Sequence, residues 1–241
     1  MNKIYNLNSF EKLIRDILKH GYQFITDPNE LLTGDSKVYI RHDIDICLKR
    51  ALKVLEIEKL IGVESTFFFM VGSPFYNLSE FRNLPLIKSF MNQSVKIGLH
   101  ANISDIENFE EEIQQQQIIL NTLFNTEINQ ISFHHPTIET MKLNLIELEL
   151  VNLYSFCKQP GIEYFSDSNM NLDFINLYQT LRERTNIQLL LHPVWWVESL
   201  KDPSDLWNIL ISEESSVLRT HIKNTERTYM ENEPNTSETS I

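Results

Sequence analysis

Two carboxylates stand two residues apart in Arg41-His42-Asp43-Ile44-Asp45, directly after the apolar run Val38-Tyr39-Ile40. In extended backbone, residues two apart point to the same side, so Asp43 and Asp45 share one face. One of them can bind a metal ion while the other takes a proton from metal-bound water. The alternative is that one acid caps the helix beginning near Leu48, a task that needs only one. Three further apolar runs end in the same way: Ile97-Gly98-Leu99 at His100, Ile131-Ser132-Phe133 at His134-His135-Pro136, and Leu189-Leu190-Leu191 at His192-Pro193-Val194-Trp195-Trp196.

A neutral imidazole is a common zinc ligand, which makes His100 a candidate, although a single His there is otherwise an ordinary hydrogen-bonded residue. Strand alternation lets only one of His134 and His135 face a pocket. If Ile131 and Phe133 pack outward, Ser132 and His134 face inward and His134 is the candidate ligand. His192 suits a general acid, since an imidazole donates a proton to a departing amine near neutral pH. Trp195 and Trp196 offer either a flat wall for a sugar ring or simple core packing. Asp167, within Tyr164-Phe165-Ser166-Asp167-Ser168, orients His192 or a substrate hydroxyl, or else serves as a turn or cap residue.

These ends form one site only if the runs are parallel strands whose C-terminal ends gather on one face. The pattern between them supports that. Ser9 is the expected cap of a helix whose stripe of Phe10, Leu13, Ile14, Ile17 and Leu18 stops at Gly21 and is expected to cover the start of the barrel. After a turn-rich stretch around Asp27-Pro28 and Gly34-Asp35, strands are predicted at residues 37–42, 65–71, 96–100, 130–134, 152–156, 164–166 and 187–192. Helices are predicted near 48–61, 105–125, 137–150, 172–184 and 203–220, with a helical or irregular segment at 79–92. Six or seven strands alternating with helices imply an α/β barrel or an open doubly wound sheet. One domain over residues 1–223 is expected, followed by a disordered polar tail at 224–241.

Hydrophobic residues at 42% and charged residues at 22% match a globular chain of 241 residues. Its net charge of −12 disfavours nucleic acid as the main partner. The two cysteines, Cys47 and Cys157, suggest neither a disulfide scaffold nor a thiolate metal cluster. Met1–Phe10 lacks a secretory-signal pattern and no apolar run reaches the roughly 20 residues of a membrane span, so the expected location is the cytoplasm. There is no Gly-rich phosphate loop and no nucleophile elbow.

Taken together, Arg41 to Asp45, Gly98-Leu99-His100, Ser132 to Pro136, Tyr164 to Ser168 and His192 to Trp196 resemble, in order and spacing, the polysaccharide deacetylase-like proteins of the NodB-type fold, related to carbohydrate esterase family 4. The resemblance runs from about Val38 to Trp196 and includes Ala51 to Tyr76, with Pro74-Phe75-Tyr76-Asn77. It implies a distorted (β/α) barrel and metal-dependent removal of an acetyl group from an N-acetylated sugar. Residue by residue, it makes Asp43 the catalytic base, His192 the late catalytic His, and Asp45 and His100 metal ligands. Asp167, Trp195, Trp196 and Tyr76 become the expected substrate contacts. In better-known relatives a second metal His follows the first by four positions; here that residue is Ser104, and His134 is the candidate to complete the set. Zinc is the expected metal, although such donors also suit iron, cobalt or nickel. Two other readings share the fold: a metal-dependent hydrolase of another amide bond, and a catalytically silent carbohydrate-binding or scaffold protein.

Overall fold

β-Branched and aromatic residues fill the predicted strands, and the structure, a computed structural model, describes residues 5–104, 106–197 and 202–225. Its strands are β1 (Gln23–Ile25), β2 (Lys37–Ile44), β3 (Thr66–Phe69), β4 (Lys96–Ala101), β5 (Gln130–Phe133), β6 (Val151–Asn152), β7 (Ile162–Ser166) and β8 (Asn186–Leu191). Every pair is parallel, and the order across the sheet is β6-β5-β4-β3-β2-β8-β7. Short β1 pairs with the first half of β2, ahead of the stretch that β3 occupies. Parallel strands need crossovers, and helices supply most of them.

The sheet curls into a half-barrel with β6 and β7 as its ends. Side chains reach across the inside: the Tyr39 hydroxyl of β2 donates to Gln130 Oε1 of β5 at 2.6 Å. Gln188 Nε2 of β8 donates to the Leu153 carbonyl just after β6 at 3.3 Å. Tyr39, Phe68, Leu153, Phe156 and Ile162 fill the interior below the mouth. Gly98 is required there, because a Cβ on it would lie 2.3 Å from the Phe68 ring.

Period-two alternation sorts β2 into two faces. Tyr39, Arg41 and Asp43 point inward, whereas His42 points out to Glu58 of α2 (Leu48–Ile61), 2.8 Å away. On β3, Phe67 and Phe69 face outward against Phe90 of α3 (Leu84–Asn92), and Phe69 also meets Phe124 of α4 (Phe109–Phe124). The first helix, α1 (Leu7–Lys19), packs beside α2 and buries Phe10, Leu13, Ile14 and Ile17. Its cap is Asn6, which accepts from the Ser9 amide, so the helix begins before the cap expected at Ser9.

Some elements differ from the sequence expectation. The predicted helix over 137–150 shortens to α5 (Ile138–Met141) and a 3-10 turn at Ile146–Leu148, because Asn144 and the left-handed Glu149 favour turns. Of the strand predicted at 152–156 only Asn152 pairs as strand, together with Val151 before it, and a 3-10 turn follows at Leu153–Ser155. β7 is longer than predicted, α6 spans Phe174–Glu183, and β1 has no counterpart in the reading of the sequence. Contacts divide the chain into two compact units, Met1–Ser199 and Leu200–Ile241; the second carries α7 (Pro203–Thr225). The remainder of the expected polar tail lies outside the described residues. Among the described residues, no helix is long and apolar enough to cross a membrane.

Candidate active site

The polar strand ends meet at the mouth of the half-barrel. Asp45 follows β2, His100 lies in β4, His134 follows β5 and His192 follows β8. Asp45 divides its two oxygens among them. Oδ1 lies 2.9 Å from His100 Nε2 and 3.5 Å from His134 Nδ1, and Oδ2 lies 3.7 Å from His192 Nε2. One donor atom each from Asp45, His100 and His134 lies within 4.8 Å of the other two. His135, with a left-handed backbone at φ 49°, turns the chain directly after His134 and is itself exposed.

Hydrogen bonding behind His100 fixes how its ring is used. The Ser132 hydroxyl donates to Asp43 Oδ1 at 3.3 Å and lies 2.8 Å from His100 Nδ1. A hydroxyl has one proton to give, so it accepts from Nδ1–H, and whenever the ring is neutral it presents the lone pair of Nε2 to Asp45. Two acceptors 2.9 Å apart repel unless a cation lies between their lone pairs. Consistent with that, Asp45 Oδ1 is buried and makes no hydrogen bond. The residues present therefore fit a divalent metal held by one carboxylate and two imidazoles. Without a cation, burial would raise the Asp45 carboxyl, and it stays well below the usual range only with protons on the rings of His100 and His134 and the charge of His192, the place a bound metal would take.

Asp43 is buried beside Arg41, whose Nη2 lies 3.4 Å from Oδ2. Arg41 is itself fully buried, donates to the Tyr154 hydroxyl at 3.1 Å and stacks over that ring; the hydroxyl in turn donates to the Phe133 carbonyl. His192 has a different support. Its Nδ1 lies 2.6 Å from Asp167 Oδ1, its backbone amide donates to the same carboxylate, and Trp196 Nε1 donates to Asp167 Oδ2 at 2.7 Å. Burial lowers the affinity of His192 for a proton, but Asp167 more than compensates, and its pKa is pushed up to about 9.

The remaining expected residues lie elsewhere. Trp196 is fully buried against Tyr5 and Phe10, so it supports Asp167 and offers no face to a sugar. Trp195 is also buried. Tyr76 is 7% exposed and its hydroxyl is spent on backbone, donating to Ile44 O at 2.6 Å and accepting from Met70 N. Trp196 and Tyr76 are buried for the same reason: an aromatic with a polar handle satisfies buried groups as readily as it lines a cleft. Ser104 turns away to α4, where its amide and hydroxyl both bond Glu112. Arg41 and Tyr154 were not singled out in the sequence, and Ser132 was placed on the inner face without a role. The signal available was the alternation of β2, which puts Arg41 on the face of Asp43, and a buried arginine needs a partner.

No family model and no curated protein matches the chain. Solved structures similar to it are CE4 family proteins. A CE4 family pseudoenzyme from Bacillus anthracis is 15% identical with a TM-score of 0.49, over 81% of this chain and 65% of that one. The Streptococcus pyogenes deacetylase PplD, in complex with acetate, is 13% identical with a TM-score of 0.47, over 78% of this chain and 82% of that one. A family 4 acetyl xylan esterase from Clostridium thermocellum, with a cobalt ion, is 12% identical with a TM-score of 0.43, over 78% and 90%. This chain spans less than two thirds of the pseudoenzyme's length.

Proposed function

We propose that this chain is a metal-dependent hydrolase that removes the acetyl group from an N-acetylated sugar or polysaccharide precursor in the cytoplasm. The observation that carries the reading is the division of labour around Asp45. Its Oδ1 faces two imidazole nitrogens with no hydrogen bond of its own, and its Oδ2 faces a third imidazole that is held by a separate carboxylate. Asp45, His100 Nε2 and His134 Nδ1 would hold the metal, and zinc is the ion the reading assigns. When bound, the ion polarises the amide carbonyl and lowers the pKa of a water.

The protein's own groups supply the proton transfers. Asp43, kept beside the Arg41 guanidinium, accepts the proton of the attacking water. His192, held as imidazolium by Asp167, gives its proton to the departing amine nitrogen. One C–N bond breaks and one C–O bond forms, leaving acetate and a free amine. The sugar as substrate rests on the resemblance of the five motifs, since the same proton transfers would serve another amide.

The test is the metal content of protein purified without chelator or a His-rich tag, followed by acetate release from a panel of N-acetyl sugars. The expected result is about one equivalent of transition metal, lost in Asp45→Ala, His100→Ala and His134→Ala, with acetate released only by the loaded protein. Full occupancy in His134→Ala rejects His134 as a ligand. No metal after reconstitution with several divalent ions overturns the hydrolase reading, and released ammonia or another amine without acetate reassigns the bond.

A further inference from the structure

With Trp195, Trp196 and Tyr76 all buried, the site as described so far lacks an aromatic surface open to a ligand. The loop after β3 carries an exposed aromatic, Phe75. Ser73 Oγ donates to the carbonyl of Asp45 at 2.9 Å and accepts from the backbone amide of Phe75 at 3.1 Å. On the other side of Phe75, the Tyr76 hydroxyl ties the same loop to the carbonyl of Ile44. Phe75 is thus clamped on both sides to the last residue of β2 and to the metal-ligand position beyond it, yet half of its own surface is exposed. An exposed phenylalanine in a free loop would lose its gain on binding to the cost of ordering; one held by neighbours on both sides has already met that cost.

We infer that Phe75 is the stacking platform for the pyranose ring that carries the acetamido group, and this rests on the hydrolase reading above. A pyranose presents an apolar face of C–H groups, which an aromatic ring covers while the sugar's hydroxyls stay in water. A linear amide has no such face, so the platform selects a sugar over other amides. Phe81 is a built-in control. It sits on the same loop and is 87% exposed, but the hydrogen bonds around it, among Asn77, Glu80 and Asn83, stay within the loop and do not reach β2.

The experiment uses the full metal-loaded chain and the tetramer of N-acetylglucosamine as probe, with acetate release read as KM and kcat and calorimetric binding read in parallel. Phe75→Ala is expected to raise KM and Kd roughly fivefold with a much smaller change in kcat. Phe75→Trp restores the wild-type values, and Phe81→Ala leaves both close to wild type. If the tetramer binds but no acetate is released, the hydrolase reading fails, and a weaker Kd in Phe75→Ala alone still upholds the platform. If acetate is released and Phe75→Ala matches wild type, or Phe81→Ala loses as much, the platform is overturned and the hydrolase stands. A tetramer that is neither bound nor cleaved overturns the platform as well.

Discussion

His100 and His192 each turn one ring nitrogen toward Asp45, and they differ in what holds the other. Behind His100 stands a neutral hydroxyl, Ser132, which accepts from Nδ1–H and leaves a lone pair on Nε2. Behind His192 stands the buried carboxylate of Asp167, which favours a ring with both nitrogens protonated. In the proposed reaction one partner suits its ring to a metal and the other suits its ring to act as an acid, so neighbouring imidazoles of the same type would take opposite tasks from a single atom behind each ring.

The sharpest way to break this contrast is to remove each ring in turn. His100→Ala is expected to lose the metal and with it all activity above background. His192→Ala should keep full metal occupancy and lose turnover by about 10²- to 10⁴-fold. Elemental analysis of both variants beside acetate release decides it: metal loss in His192→Ala would mean that the two rings are not divided between ligand and acid.

Exchanging the partners sharpens the contrast further. Asp167→Asn keeps the shape but removes the charge behind His192, so turnover should fall by about 10²-fold or more with metal content intact. Because this carboxylate also accepts from the His192 amide and Trp196 Nε1, urea unfolding should show a loss of about 1.5–3 kcal/mol. A variant that is destabilised yet turns over normally would reduce Asp167 to a structural residue. Ser132→Ala acts on the other ring. It should weaken metal binding by about 10- to 100-fold, measured by competition with a chelating dye, and leave His192 function alone once metal is saturating. Unchanged affinity would reject the assigned tautomer of His100.

How much of this was legible in the sequence follows from the same contrast. Strand ends were visible because apolar runs stopping at His or Asp are local patterns, and alternation along β5 by itself puts Ser132 and His134 on one face. The supports were harder to see. Trp196 reaches Asp167 across 29 positions and Tyr154 reaches Arg41 across 113. Such pairs depend on the curl of the sheet, which brings β8 beside the turn after β6 and which no local pattern encodes. β1 escaped notice because a three-residue strand within a turn-rich stretch carries too little periodicity to register. Exposure was equally hidden: Tyr76 and Phe75 are adjacent aromatics in one motif, and only the bonds made by the Tyr76 hydroxyl decide which of them is buried.

A last comparison sets the buried carboxylate of Asp167 against a carboxylate near the surface. Asp16 of α1 accepts from Tyr178 of α6 and from Lys12, each at 2.5 Å. Burial would raise its pKa, but these two partners outweigh it and the folded value lies below the ordinary one. A depressed folded pKa stabilises the fold at pH values above the unfolded pKa of about 4, and that contribution disappears as pH falls through the folded value. Because Lys12 is largely exposed, the amount at stake is less than about 1 kcal/mol. Asp16→Asn should therefore lower the urea midpoint slightly at neutral pH, and the gap from wild type should close as the pH is taken below about 4. A gap that stays constant across that range would mean the pair contributes through its packing, with no part played by the charge. The same kind of carboxylate that sets the charge of His192 at the mouth would then be doing no electrostatic work between these two helices.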